Sequence, residues 1–196
     1  MMLPAWRPDK AMNIEKPGYA VYIDQLSHVS GMEIRRFADL VDALKKRHDF
    51  FESQGCKLSD HGLEEFYDEP YTDSQIETIF ERAMRGQQLS AVEVRQFKNC
   101  FLTVMAEMDA DSDWTQQFHY GAIRDNNTKM FKQIGPDTGF DSIGEFNTAK
   151  AMSRFFDNLC QRDKLTRTII YTLNPCANEM IATMLGNFQG GEPGKI

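Results

Sequence analysis

Apolar positions along this chain follow two rhythms, one near 3.6 residues and one of two, and stretches of each alternate. From Tyr19 to about Gln54, Ile34, Phe37, Leu40, Val41, Leu44 and Phe51 keep the helical period, while Arg35, Arg36, Asp39, Lys45 and Lys46 fall on the wet side. Two helices are predicted there, broken at Gly31 and ended at Gly55. Thr72 with Gln75 and Ser90 with Glu93 have capping-box spacing. The first opens a helix with Ile76, Ile79, Phe80 and Met84 buried. The second carries a core stripe of Val94, Phe97, Phe101, Val104, Met105 and Met108. A further helix is predicted from an Asn147 cap through Arg162, with Ala151, Phe155 and Leu159 inward, and another starts at Asn174-Pro175.

Period-two stretches lie between these helices. Leu3–Trp6, Cys56–Ser59, Thr115–Tyr120 and Thr168–Leu173 read as strands, each followed by helix. Such alternation predicts a parallel sheet with right-handed crossovers; unaided, it suggests a small open doubly wound sheet. Along Thr115–Tyr120 the polar set Thr115, Gln117 and His119 shares one face, and Gln116, Phe118 and Tyr120 share the other. Arg124 follows in a long loop rich in Gly, Asp and Asn. Polar residues at a strand end before a long loop are how α/β enzymes build sites.

His119 therefore reads either as a site residue or as a satisfied strand histidine. Arg7 stands at the end of the first strand, and spacing alone equally allows a surface ion pair. Asp60 and His61 are expected just past a strand ending at Ser59. They enter or flank the site, or they form a structural pair. His28 and His48 receive no role. Asp109, Asp111 and Asp113 open like a calcium loop, but Trp114 and Tyr120 occupy the positions that need Gly and Glu, so a solvated acidic turn is predicted.

The 196 residues, with 41% hydrophobic and 26% charged content, fit one domain over residues 1–196. A formal charge of −7 argues against nucleic acid as partner. No apolar run approaches the roughly 20 residues of a membrane span, and a cytoplasmic protein is expected. The four cysteines show no C-x-x-C pairing and read as buried thiols. No G-x-G-x-x-G, Walker loop, G-x-S-x-G or H-x-H occurs.

HYGAIRDNN followed by GPDTGFDSIG resembles the central signature of the uronate (glucuronate) isomerases, metal-dependent members of the amidohydrolase superfamily. LPAWRPDKA, HDFFESQGCKLSDHGLE and IIYTLNPCANEMIATMLGNFQ extend the resemblance over nearly the whole chain, in matching order. The family's chains are more than twice as long, so the resemblance implies a central segment. The fold it implies is half of a (β/α)8 barrel, roughly units three to six, with parallel strands and long helical crossovers. The intervals between successive strand ends, long beside the roughly 30 residues of an average unit, agree.

The activity implied is aldose–ketose isomerisation of hexuronates, glucuronate to fructuronate and galacturonate to tagaturonate, through an enediol. His119 would act at the metal or a substrate oxygen. Arg7 and Arg124 would bind the uronate carboxylate or hydroxyls. The divalent metal, expected to be zinc, would be held by an H-x-H and an Asp of other strands. This chain alone is thus expected to hold no metal, to be inactive, and to associate with itself through bare sheet edges. A metal-dependent hydrolase on the same barrel and a non-catalytic open-sheet binding module are the alternatives.

Overall fold

The computed structural model of the protein describes residues 2–190 and 196. Gly191 to Lys195 lie outside the described residues. Short α1 (Asp9–Met12) is followed by α2 (Tyr19–Ser30), α3 (Phe37–Ser53), β1 (Leu58–Leu63), α4 (Asp73–Met84), α5 (Ala91–Asp111) and β2 (Thr115–Tyr120). Next come β3 (Ala122–Ile123), α6 (Thr128–Ile134), β4 (Ser142–Ile143), α7 (Ala149–Gln161) and β5 (Thr168–Thr172). A 3₁₀ turn (Pro175–Ala177), α8 (Asn178–Leu185) and a second 3₁₀ turn (Gly186–Phe188) complete the described order.

The helices begin where the sequence predicts. The Thr72 N–H donates to Gln75 Oε1 at 2.8 Å, and the Ser90 N–H donates to Glu93 Oε2 at 2.7 Å, each closing a capping box. The first N–H groups of α3 find a remote partner: those of Phe37 and Ala38 donate to the Glu77 carboxylate on α4. Gly31 and Gly55 take positive φ (65° and 86°) at the ends of α2 and α3, as helix-terminating glycines do. At α7 the expected Asn147 cap is wrong. Thr148 flanks the helix, and its hydroxyl accepts from the Phe66 N–H at 3.0 Å instead of capping, while Asn147 stays exposed.

Three strands form a parallel sheet in the order β1-β2-β5, and Trp6 extends it as a single parallel bridge to Ser59. Spatial order thus follows chain order with no reversal, so the sheet lacks the switch point of a doubly wound fold. Ser59, His61, Leu63, Gln116, Phe118, Tyr120 and Thr168 face the buried side. There Phe66, Phe118, Phe155 and Phe156 pack ring against ring. The other side is bare: Ile169, Tyr171 and Leu173 are 41%, 42% and 52% exposed. The loop after Gly121 is more ordered than expected, holding the antiparallel β3–β4 pair and α6.

Two expectations about acids and thiols fail. Asp109 is fully buried instead of lying in a solvated turn. Its carboxylate accepts from the Ser59 hydroxyl and sits 3.2 Å from His48 Nε2, and His48 stacks on Trp114 at 3.8 Å. Asp109 is drawn in because helix α5 runs on to Asp111 and carries it under the strand starts, while Asp111 and Asp113 are exposed as expected. Cys56 and Cys100 are buried as expected, but Cys160 and Cys176 are exposed.

β1 also runs past Ser59 to Leu63, because Leu58–Leu63 pairs residue for residue with Thr115–Tyr120. Asp60 and His61 therefore lie inside the strand and point to opposite faces. His61 is buried, stacks on Phe118, and places Nδ1 3.0 Å from Asp9 Oδ1. Burial acts to lower its pKa, but the hydrogen bond and charge of Asp9, with Asp109 and Asp60 behind, outweigh it and leave the pKa raised.

Two outcomes follow from these buried polar groups. Asp109→Ala leaves the Ser59 hydroxyl and His48 without their shared acceptor. At about 1–3 kcal/mol for each stranded group, urea denaturation should show a loss of about 2–5 kcal/mol; a loss within measurement error would refute the role given to Asp109. For His61, a raised folded pKa means that its stabilisation is complete below about pH 6.5 and is lost as pH rises through the folded value. Asp9→Asn should lower the His61 titration, followed by NMR, because burial is then opposed only by the charges of Asp109 and Asp60.

Candidate functional site

The bare face of the sheet gathers the polar residues singled out in the sequence. Register sets Gly62 beside His119 and His119 beside Tyr171. Gly62 has no side chain, so the space next to His119 is filled from elsewhere. A Cβ there would stand 3.2 Å from Arg7 Nη2 and 3.5 Å from Asp9 Oδ2. Arg7 thus lies across β1 where only glycine leaves room, and the Gly62 N–H donates to Asp9 Oδ2 at 2.8 Å.

Asp60 joins this arrangement from two residues earlier. Its Oδ1 lies 2.5 Å from His119 Nδ1, and its Oδ2 lies 3.1 Å from Arg7 Nε. The carboxylate is 15% exposed, against 48% for the His119 side chain and 56% for that of Arg7. On the far side of His119, the Tyr171 ring stacks at 4.4 Å and 7°. Four neighbouring backbone segments therefore contribute Arg7, Asp60, His119 and Tyr171 to one continuous row.

Arg124 approaches from the β3–β4 pair. It donates to Asp141 Oδ2 at 2.7 Å, and the Asp125 N–H donates to Asp141 Oδ1 at 2.9 Å. The Asp125 N–H first, then the Arg124 guanidinium, hold the Asp141 carboxyl below its usual range. Arg7 and Arg124 line one cleft of about 190 Å³ with Asp9, Gly62, Tyr67 and Lys98. Lys98, almost buried, is paired with Glu15 at 2.8 Å. A larger cavity of about 470 Å³ opens at the ends of β2 and β5, bordered by Tyr120, Gly121, Thr148 and Asn174.

Of the residues named from sequence, Arg7, Asp60 and His119 come together at this end of the sheet, and Arg124 shares a cleft with Arg7 alone among them. His61 does not enter the cleft; it braces Asp9 from the buried side. His61 and His119 face opposite sides of the sheet. Asp9 and Tyr171 were missed. Tyr171 was within reach of sequence reasoning, because alternation along Thr168–Leu173 puts it with Ile169 and Leu173 on one face. Among the described residues no group of three or more His, Cys, Asp or Glu side chains comes together to hold a metal ion. Asp60, the nearest carboxylate to His119, already serves two donors. No helix among the described residues is long and apolar enough to cross a membrane.

Known proteins resemble this chain along its whole length. The uronate isomerase of Phocaeicola vulgatus is 64% identical over the whole chain, and that of Bacteroides thetaiotaomicron 62%. The chain spans 42% of the length of these curated relatives. Among solved structures, the uronate isomerase of Thermotoga maritima superposes with a TM-score of 0.88 at 31% identity, over 93% of this chain and 40% of that one. The glucuronate isomerase of Caulobacter crescentus, at 23% identity and a TM-score of 0.80 over 89% and 36%, shares the fold. The family described as UxaC, glucuronate isomerase, matches residues 1–196, and the chain belongs to it.

Proposed function

We propose that this chain forms the substrate-facing half of a (β/α)8 barrel, roughly units three to six, in an enzyme that interconverts aldose and ketose forms of hexuronates. The observation that carries the reading is a single carboxylate, Asp60, joining Arg7 to His119, with Arg7 also lining a cleft that Arg124 shares. Support for the barrel comes from parallel strands in chain order with one bare face, and from the 0.88 superposition. Support for the substrate comes from the relatives' shared description as uronate isomerases.

The chemistry suits the residues. A uronate carries a carboxylate at one end and its reacting carbons at the other. Arg7 and Arg124 keep unused guanidinium donors, and a planar fork meets a carboxylate in two parallel hydrogen bonds. The cleft of about 190 Å³ suits one end of such a molecule; whole drug-sized ligands occupy about 300–1,000 Å³. His119 then lies on the bare face, where its outer nitrogen meets a substrate hydroxyl and accepts its hydrogen bond or proton as the enediol forms. The divalent metal implied by the family resemblance, zinc by expectation, finds no donor set among the described residues.

A chimera tests the reading. This chain replaces the matching stretch of the P. vulgatus enzyme, and glucuronate and galacturonate conversion are assayed. Turnover is expected, and Arg7→Met should lower kcat/KM by about tenfold to a hundredfold, the worth of a charge-assisted hydrogen bond. A folded chimera without turnover, or one indifferent to Arg7→Met, would count against the proposal. The 196-residue chain alone should show no turnover, since His119, Arg7 and Arg124 stand half in water that screens their charges. It should also self-associate through the face bearing Ile169, Tyr171 and Leu173, so light scattering at rising concentration should show a dimer and not a persistent monomer.

A further inference from the structure

We propose that Asp60 is a positioning residue that fixes the tautomer of His119, and that it does so because Arg7 occupies its other oxygen. An ionised carboxylate only accepts hydrogen bonds, so His119 Nδ1, 2.5 Å from Oδ1, must carry the proton. Neutral His119 then presents Nε2 as a bare lone pair, able to accept a hydrogen bond or proton from a bound hydroxyl. Stacking on Tyr171 at 4.4 Å and 7° holds the ring plane. Arg7 Nε donates to Oδ2 at 3.1 Å, so the two oxygens of Asp60 are assigned to different partners. The use of this arrangement rests on the isomerase reading; the arrangement itself does not.

Assigning the oxygens separately makes the consequence of an amide definite. In Asp60→Asn one oxygen is replaced by an NH2 group. The charged guanidinium makes the stronger hydrogen bond and keeps the remaining oxygen. The NH2 group is then turned toward His119, which must accept at Nδ1 and so shifts its proton to Nε2. An equivalent exchange of tautomer accompanies Asp-to-Asn replacement behind a catalytic histidine in the serine proteases. Removing the guanidinium frees the amide to present either end to His119, so Arg7→Met combined with Asp60→Asn should no longer hold the proton on Nε2 and should show both tautomers.

The experiment is nitrogen NMR of histidine-labelled protein, the 196-residue chain, at a pH where titration shows His119 to be neutral. His119→Gln supplies the assignment. Wild type should show a protonated Nδ1 and a bare Nε2, Asp60→Asn the reverse, and the double variant a mixture of the two. Wild-type protein with its proton on Nε2 would overturn the proposal without need of any variant. So would Asp60→Asn protein that retains the wild-type pattern while Arg7 is in place. These resonances do not depend on uronate turnover in the chimera, so failure of the isomerase reading and failure of this one are told apart.

Discussion

The register of the parallel ladder is the constraint on which the site depends. Leu58 pairs with Thr115 and Leu63 with Tyr120, so Asp60 and His119 share the bare face two residues apart along the strands. A slip of one residue would turn His119 under the helices and bring Phe118 into water. The aromatic packing of Phe66, Phe118, Phe155 and Phe156 opposes that slip on one side of the sheet, while the Asp60 contacts oppose it on the other. Core packing and site geometry are two faces of one register.

The two ends of the sheet use buried polar chemistry differently. At the strand starts, Asp109 collects the Ser59 hydroxyl and His48 among Trp6 and Trp114, sealed from solvent. At the strand ends, Asp60 collects His119 and Arg7 with half of each side chain in water. A carboxylate flanked by two donors serves both places. Enclosure separates them: the buried cluster has nothing to offer a ligand, whereas the open one leaves guanidinium donors and an imidazole nitrogen unused.

Much of the fold was legible in the sequence because its signals are local. Capping boxes at Thr72 and Ser90, and the alternation along Thr115–Tyr120, each express a few neighbouring residues and proved correct. The errors arose where a distant partner decides. Nothing near Ser59 shows that β1 continues to Leu63, because the extension is driven by pairing with β2. Thr148 loses its capping role to Phe66, and Asp109 is buried by His48 and Ser59. Arg7 and His119 were singled out through the family motifs, and both lie against Asp60. Asp9 was not, since its contacts to Gly62 and His61 span more than fifty positions of chain.

The bare face combines two kinds of surface with opposed needs. Asp60, His119 and Arg7 are satisfied in contact with water, whereas Ile169 and Leu173 beside them are not. Covering the face therefore favours the apolar residues directly, at about 25 cal/mol for each Å² removed from water. It also lowers the dielectric around the polar row, where Coulomb interactions grow several-fold as water leaves. Hydrogen-bonded charges tolerate that change, because Asp60 already has a partner for each oxygen. An unpaired carboxylate at the same position would resist cover. The pairing of Asp60 is thus what allows an apolar strand and a polar site to share one enclosed surface.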